Sequence, residues 1–308
     1  MELRHLRYFV AVAEERHFGR AADRLHIAQP PLSQQIKRLE AELGVTLLHR
    51  TTRRVELSPA GALLLERARS IIDAADRAAD DCRRAARGEI GRLSVGFTGS
   101  TTYALLPSVA AALRQGLAGV ELELHGEMLT PAQVNGLLNG QLDLGFLRPP
   151  VRSRDLTVEI IRSEPLIAVI PSEHRLAAAN EIGIEQLADE PFVAYASHLR
   201  SVLADFVAQV CADHGFTPKV AMEVTETATL VSFVAAGIGV SLVPASVAGV
   251  MVAGASYRPL TGIAPRVQIA LAWRTGDESP VLAKALTIVH SAALAHPADQ
   301  FISRISRL

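Results

Sequence analysis

The sequence is poor in cysteine. Its 308 residues include two cysteines, Cys82 and Cys211, and neither belongs to a Cys-x-x-Cys pair. A disulfide framework and a zinc finger both need closely spaced cysteines, so we expect neither. Two idle thiols in a reducing compartment are the plain interpretation, and nothing flanking either residue favours a redox switch.

Long apolar runs are also missing. The first residues, MELRHLRYF, lack the apolar core of a signal peptide, and no run of about 20 uncharged apolar residues occurs. We therefore expect a cytoplasmic protein with no membrane span.

The sequence contains none of the common signatures of enzymes, namely the Gly-x-Ser-x-Gly, His-Glu-x-x-His and P-loop patterns. Residues 236–242 resemble a dinucleotide-binding fingerprint, but this stretch lacks the third glycine and precedes a predicted strand where the fingerprint should follow one. We expect no enzyme, no catalytic residue, no cofactor and no metal site.

Charge is nearly balanced over the whole chain but unevenly distributed. The formal net charge is −1, whereas residues 1–58 contain ten basic and seven acidic side chains, a balance of +3. A basic N-terminal segment on an acidic remainder is consistent with a nucleic-acid partner for that segment, although the charge is too small to establish one.

Residues 18–42 have the pattern of two helices joined by a tight turn. Leu32, Ile36, Leu39 and Leu43 have the spacing of one helical face. The opposite face carries side chains that bind base edges or phosphates, and prolines occupy the first turn of the helix. These candidate residues are Pro31, Lys37 and Arg38, with Gln29, Pro30, Ser33 and Gln34. The pattern predicts a DNA-binding helix-turn-helix, and a surface helix of an ordinary bundle is the alternative.

A basic hairpin is predicted next. Residues 46–49 and 55–57 are expected to form short strands, and the segment between them contains Arg50, Arg53 and Arg54. Beside a helix-turn-helix, such a hairpin is typical of a wing that contacts phosphates or the minor groove, and a solvated basic turn is the alternative.

A long helix is predicted from Ser58-Pro59 to about Arg87, ended by Gly88. Ser58 is suited to the N-cap and Pro59 to the first helical position. Its apolar stripe includes Leu64, Ala68, Ile71 and Cys82, and we expect it to have no core of its own to lie on this early in the chain. We interpret it as a linker helix that pairs with a second copy.

From Gly91 onward, strands and helices alternate. This spacing predicts a mostly parallel sheet with crossover helices, and the strands are numerous enough for two α/β lobes with a cleft between them. Ser100 and Thr101 follow a strand and precede a helix, Thr130 precedes another helix, and Arg148 ends a strand. A small carboxylate is the ligand suited to these groups, whereas each hydroxyl alone could be a plain helix cap.

The run LRYFVAVAEERHFGRAADRLHIAQPPLSQQIKRLEAELGVTLLHRTTRRVELSPAG resembles LysR-type transcriptional regulators. GFTGSTTYALLP, GFLR and VAAGIGVSLVPASV resemble the effector-binding domain of the same family. The similarity is greatest to the branch that senses aromatic-degradation intermediates such as muconate, chloromuconate or benzoate.

The resemblance implies an α/β multidomain protein with three parts. They are an N-terminal winged helix-turn-helix (residues 1–58), a dimerisation and linker helix (59–88) and a C-terminal two-lobed, Rossmann-like or periplasmic-binding-protein-like domain (89–308). Lobe I would comprise residues 89–161 and 267–308, and lobe II residues 162–266. The implied partners are double-stranded operator DNA, a small carboxylate effector, RNA polymerase and further copies of the chain, as a dimer or tetramer.

The resemblance also implies site residues. Gln29, Pro30, Ser33, Gln34 and Arg53 fall where family members touch DNA, and Gln34 replaces a frequent arginine. Ser201, Val202 and Glu226 correspond to positions that border or tune the effector cleft, although residues 196–203 depart from the branch. A solute-binding protein would share the two-lobed cleft, but the N-terminal wing and the missing signal peptide argue against that alternative.

Overall fold

The structure is a computed structural model that describes residues 1–50, 55–103, 105–196 and 201–294. The chain forms two compact units, residues 1–84 and 85–308. Each unit is described by itself below.

The first unit begins with three helices, α1 (Leu3–Glu15), α2 (Phe18–Arg24) and α3 (Gln29–Leu43). The His17 ring caps α2 by accepting hydrogen bonds from the backbone N–H groups of Gly19 and Arg20, at 3.0 and 3.3 Å. Helix α3 has proline in its first turn and ends at Gly44, whose φ of 67° is the left-handed conformation that favours glycine.

One apolar core joins these helices. Its buried members include Phe9, Ala21, Leu32, Ile36 and Leu39. Ala21 is completely buried, which lets the backbone of α2 approach its neighbours closely. Leu43 departs from the prediction because it is 38% exposed: the last turn of α3 extends past the core.

The predicted hairpin is present. Strands β1 (Leu48–Arg50) and β2 (Val55–Leu57) pair antiparallel, with Leu48 opposite Leu57. The Glu40 carboxylate of α3 accepts hydrogen bonds from the N–H groups of Leu47 and Leu48, at 2.9 and 3.1 Å, and so fixes the start of β1. Residues 51–54, with Arg53 and Arg54, lie outside the described residues.

Helix α4 (Pro59–Ala86) starts as predicted, because the Ser58 hydroxyl accepts from the Gly61 N–H at 2.9 Å. The expectation that this helix has no core to lie on is wrong for its first half. Ala60, Leu64 and Leu65 pack against the helix-turn-helix core, and Ala68 is completely buried. The second half is exposed: Ile71 is 44% exposed, and Cys82 lies on the surface.

The second unit is built on crossing strands. In lobe I, β3 (Gly91–Phe97) pairs in parallel with β4 (Val120–His125) and β5 (Leu144–Leu147). Helices α5 (Leu106–Gly116) and α9 (Pro280–Leu294) supply apolar side chains to the core on these strands, and α6 (Thr130–Leu138) lies between β4 and β5 in the chain.

Two antiparallel strands connect the lobes. Strand β6 (Leu156–Pro171) pairs with β11 (Arg266–Arg274) through its first ten residues, from Leu156 opposite Arg274 to Pro165 opposite Arg266. Beyond that point β6 pairs with β9 (Ser241–Pro244) and β10 (Ala255–Pro259) of lobe II. The prediction of a mostly parallel sheet missed these antiparallel strands. The predicted lobe limits at residues 161/162 and 266/267 fall in β6 and at the start of β11.

Lobe II is completed by β7 (Pro191–Tyr195) and β8 (Lys219–Val224), which pair in parallel. Helix α7 (Val202–Asp213) links these strands, and α8 (Thr227–Ala235) follows β8. Their apolar side chains share one core with β6 and β9. No helix among the described residues is long and apolar enough to cross a membrane.

The close contact between α4 and the wing can be tested by replacing Gly61 with alanine. An added Cβ would lie 2.1 Å from the Leu47 carbonyl oxygen. We expect Gly61→Ala to destabilise the first unit by about 2 kcal/mol or more, because backbone must move. Calorimetry of the full chain measures this, with Ala62→Ser as the control on the exposed side of the same turn. Equal transition temperatures for the two variants would contradict the contact.

Candidate functional site

Helix α3 presents a continuous polar face. Gln29, Pro30, Pro31, Gln34, Lys37 and Arg38 are exposed and Ser33 is half-buried, while Leu32, Ile36 and Leu39 are completely buried on the opposite side. Amide, hydroxyl and cationic groups on one helix face are able to donate to and accept from DNA groups in a major groove. Their contacts with DNA stay a prediction.

Arg50 is engaged within the protein. Its Nη2 lies 2.8 Å from a Glu40 carboxylate oxygen, its Nη1 donates to the Ser33 hydroxyl at 3.4 Å, and its guanidinium lies 4.9 Å from the centre of the Phe18 ring. These contacts join α2, α3 and β1. No local sequence pattern predicts this cluster, because its members are far apart in the chain.

The Arg50 cluster has a consequence for Ser33. A hydroxyl that accepts from Arg50 keeps its own hydrogen for another acceptor. The cluster therefore orients the Ser33 side chain on the predicted DNA face. Arg50 can influence DNA binding by positioning Ser33 as well as by its own charge.

A second group of residues lines a cleft between the lobes. Lobe I contributes Thr98, Gly99, Ser100, Glu127, Leu129, Thr130 and Arg148, and lobe II contributes Tyr195, Ser201, Val202, Leu203, Thr225 and Thr227. The space inside is about 20 Å³, roughly that of one water molecule. A larger ligand would therefore extend beyond this space.

Two predicted effector residues are not among the lining residues. The buried Thr101 hydroxyl donates to the Thr98 carbonyl oxygen at 2.5 Å. Glu226 precedes α8 and is exposed, although Thr225 and Thr227 on either side of it do line the cleft.

Arg148 is the buried cation of the cleft, with 2% of its surface exposed. Its Nη2 donates to the Ser100 hydroxyl at 2.6 Å and to the Glu164 carboxylate at 3.3 Å, and its Nη1 donates to the Gln268 carbonyl at 3.2 Å. Its Nε is buried and has no hydrogen-bond partner in the described chain. The predicted two-pronged clamp on a carboxylate therefore has its Nε–H unused, while Nη1 and Nη2 already donate to protein oxygens.

Thr130 holds the end of β5. Its hydroxyl donates to the Arg148 carbonyl at 3.0 Å and accepts from the Arg148 N–H at 3.1 Å. Its hydrogen is thus already used, so the loss of Thr130 would disturb Arg148 as well as any ligand.

The cleft also contains groups that the sequence analysis missed. The Tyr195 hydroxyl lies 3.1 Å from the Thr227 hydroxyl, and burial raises the pKa of Tyr195, which keeps it protonated. Burial and the nearby Glu226 carboxylate raise the pKa of Glu127. These residues carry no local sequence signal, because the cleft is assembled from loops of both lobes.

Comparisons with known proteins match both units. The family model of the bacterial regulatory helix-turn-helix protein, lysR family, matches residues 3–62, and that of the LysR substrate binding domain matches residues 86–293. The chain belongs to the LysR family. The protein is therefore a DNA-binding transcriptional regulator and not an enzyme, as the resemblance implied.

Known members are similar over nearly the full length of this LysR-type regulator. AlsR of Bacillus subtilis is 41% identical over 283 residues, covering 92% of this chain and 93% of AlsR. CatR of Pseudomonas putida is 38% identical over 289 residues, covering 94% and 98%. The crystal structure of full-length CbnR with its target DNA has a TM-score of 0.81 at 33% identity, covering 95% and 100%.

The Arg50 cluster of this LysR-type regulator can be tested by a double-mutant cycle. We expect Arg50→Ala and Glu40→Gln each to lower thermal stability, and the double variant to lose less than their sum, with a coupling of about 0.5–3 kcal/mol. Glutamine keeps an acceptor for the wing N–H groups, so Glu40→Gln isolates the ion pair.

The control for this cycle is Arg38→Ala, which removes an exposed cation. We expect it to leave stability unchanged and to lower the salt dependence of DNA binding by about one unit if Arg38 contacts phosphate. If Arg50→Ala instead behaves like Arg38→Ala and shows no coupling to Glu40, Arg50 serves chiefly as a phosphate contact.

Proposed function

We propose that this LysR-type regulator binds operator DNA through the exposed face of α3 and the wing and changes transcription when a small carboxylate occupies its cleft. On DNA, Gln29, Pro30, Ser33, Gln34 and Arg53 take the contacts that the resemblance implies. Pro31, Lys37, Arg38, Arg50 and Arg54 lie beside them in sequence and complete the proposed set.

The convergence of helix N-termini on the cleft carries the effector proposal. Leu129 and Thr130 start α6, Ser201 to Leu203 start α7, and Thr227 starts α8. Each N-terminus has unpaired N–H groups and roughly half a positive charge. Neither α6 nor α8 has a side-chain cap. Three such ends around a buried arginine with an unused N–H favour an anion.

The carboxylate is proposed to bind among Ser100, Thr130, Arg148, Ser201 and Val202. Thr101 supports the turn behind Ser100, and Glu226 stands at the start of α8. Intermediates of aromatic degradation are the first compounds to test, because the sequence resembles the regulator branch that senses them.

The proposed mechanism is a shift between two arrangements of the protein. Two or four copies, paired through the exposed half of α4, hold two or more operator half-sites. The effector favours one arrangement of the lobes, which changes the spacing of the DNA-binding heads and the access of RNA polymerase. The effector can shift this balance only by its difference in affinity for the two arrangements.

Footprinting on the DNA upstream of this gene tests the proposed function. We expect protection of an interrupted palindrome, and a change in its extent when benzoate is added; cis,cis-muconate, which carries two carboxylates, is tested beside it. Protection that ignores both compounds would retain the regulator and reject these effectors. No protection at low salt would overturn operator binding at this DNA.

Ser100 offers a sharper test of the anion site. Its hydroxyl accepts from Arg148, which leaves its hydrogen to donate to a carboxylate. We expect Ser100→Ala to weaken carboxylate binding about tenfold, the usual worth of a hydrogen bond to a charged group, without changing operator affinity in the absence of ligand. Titration calorimetry with benzoate measures this loss of affinity.

The matched control for that variant is Ser108→Ala, which removes a hydroxyl bonded at 2.8 Å to the Leu105 carbonyl and absent from the cleft lining. We expect Ser108→Ala to bind benzoate normally. If Ser100→Ala also binds benzoate normally, Ser100 only holds Arg148 in place.

A further inference from the structure

Glu127 is an acidic side chain on the lining of a cleft that we propose for an anion. It lies in the turn between β4 and α6, and its φ of 54° is unusual for a residue with a side chain. The next residue is fixed by a hydrogen bond from the Met128 N–H to the Phe97 carbonyl at 3.1 Å. The turn thus holds a strained residue at the edge of the cleft, a placement often associated with function.

The Glu127 carboxylate lies against Gly99. A Cβ at position 99 would come within 2.0 Å of the Glu127 Oε2 atom, so a side chain at this position would displace the carboxylate. Gly99 directly precedes Ser100, whose hydroxyl contacts Arg148. The acidic group therefore borders the proposed carboxylate position.

No compensating cation is paired with this carboxylate in the described part of the chain. The structure shows no ion pair or hydrogen bond of Glu127 with a described residue, and its electrostatic neighbour is a second acid, Glu226. The buried Arg148 is matched by Glu164 at 3.3 Å. The unused Arg148 Nε still marks the cleft as a ligand site.

These charges limit the number of carboxylates that a ligand can carry. One carboxylate is offset by the Arg148 Nε and the helix N-termini. A second would meet the Glu127 carboxylate in a partly desolvated space, where like charges repel strongly, and the exposed Glu226 nearby adds to this repulsion. A hydroxyl or other donor at the same position would instead give a charge-assisted hydrogen bond to Glu127.

We infer that Glu127, with Glu226, is a specificity-determining residue that selects an effector with one carboxylate and a hydrogen-bond donor elsewhere on the molecule, and that rejects dicarboxylates. The inference rests on the proposed carboxylate site and names the class of ligand that this site takes.

A matched set of ligands tests this inference on the full-length protein. Benzoate, 3- and 4-hydroxybenzoate, isophthalate and terephthalate share one ring and one carboxylate and differ in the second group. We expect titration calorimetry to show the better hydroxybenzoate binding more tightly than benzoate, and both dicarboxylates binding at least about tenfold more weakly than that hydroxybenzoate.

The Glu127→Gln variant should reverse this preference. Removing one negative charge should raise the affinity for the better dicarboxylate about tenfold, relative to benzoate, while the advantage of the hydroxybenzoate shrinks. Glu226→Gln should also raise the relative affinity for dicarboxylates, and it is the substitute test if Glu127→Gln does not fold. The control is Glu121→Gln, which removes an exposed charge from β4 outside the cleft lining.

The outcomes separate the two proposals. Dicarboxylates that bind wild type as tightly as hydroxybenzoates, or Gln variants that leave the ranking unchanged, would overturn the role of Glu127 and keep the carboxylate site. Binding of none of the five ligands at millimolar concentration would overturn the aromatic-carboxylate effector itself, and this inference with it. A change with Glu121→Gln equal to that with Glu127→Gln would show an unspecific charge effect.

Discussion

The buried ion pair between Arg148 and Glu164 connects the two lobes of the effector-binding domain. Both side chains are at most 3% exposed. Glu164 belongs to the crossing strand β6, and its second carboxylate oxygen accepts from the Ser246 N–H of lobe II at 3.1 Å. Arg148 directly follows β5 and also donates to the Gln268 carbonyl of β11. A buried charge that loses its partner is strongly destabilising, so a substitution of either Arg148 or Glu164 should destabilise both lobes.

The DNA-binding unit was largely predictable from the sequence because its signals are local. The spacing of Leu32, Ile36 and Leu39, the prolines of α3 and the Ser58 N-cap each act within a few residues. The predictions were wrong where burial depends on how far the apolar core extends. Leu43 has the correct spacing but extends past the core, and α4 gained a core that is formed by residues earlier in the chain.

The cleft was only partly predictable. Ser100, Thr130 and Arg148 were identifiable because polar residues at strand ends and helix starts tend to meet at one edge of a sheet. Glu127, Glu164 and Tyr195 were not, because each acquires its neighbours from distant segments. The same reason hid the contact of Arg50 with Phe18 and Glu40. Local sequence patterns indicate where a side chain is placed along the chain, and tertiary contacts determine whether it is still available to a ligand.

The small space inside the cleft has a consequence for the dose-response of the regulator. If only a fraction of molecules is open enough to admit a ligand, the apparent dissociation constant equals the intrinsic one divided by that fraction. Residues far from the cleft that alter the lobe equilibrium would then change the ligand concentration at which transcription responds. Substitutions in the crossing strands β6 and β11 would therefore change the ligand concentration needed for a response, while the residues that recognise the ligand stay the same.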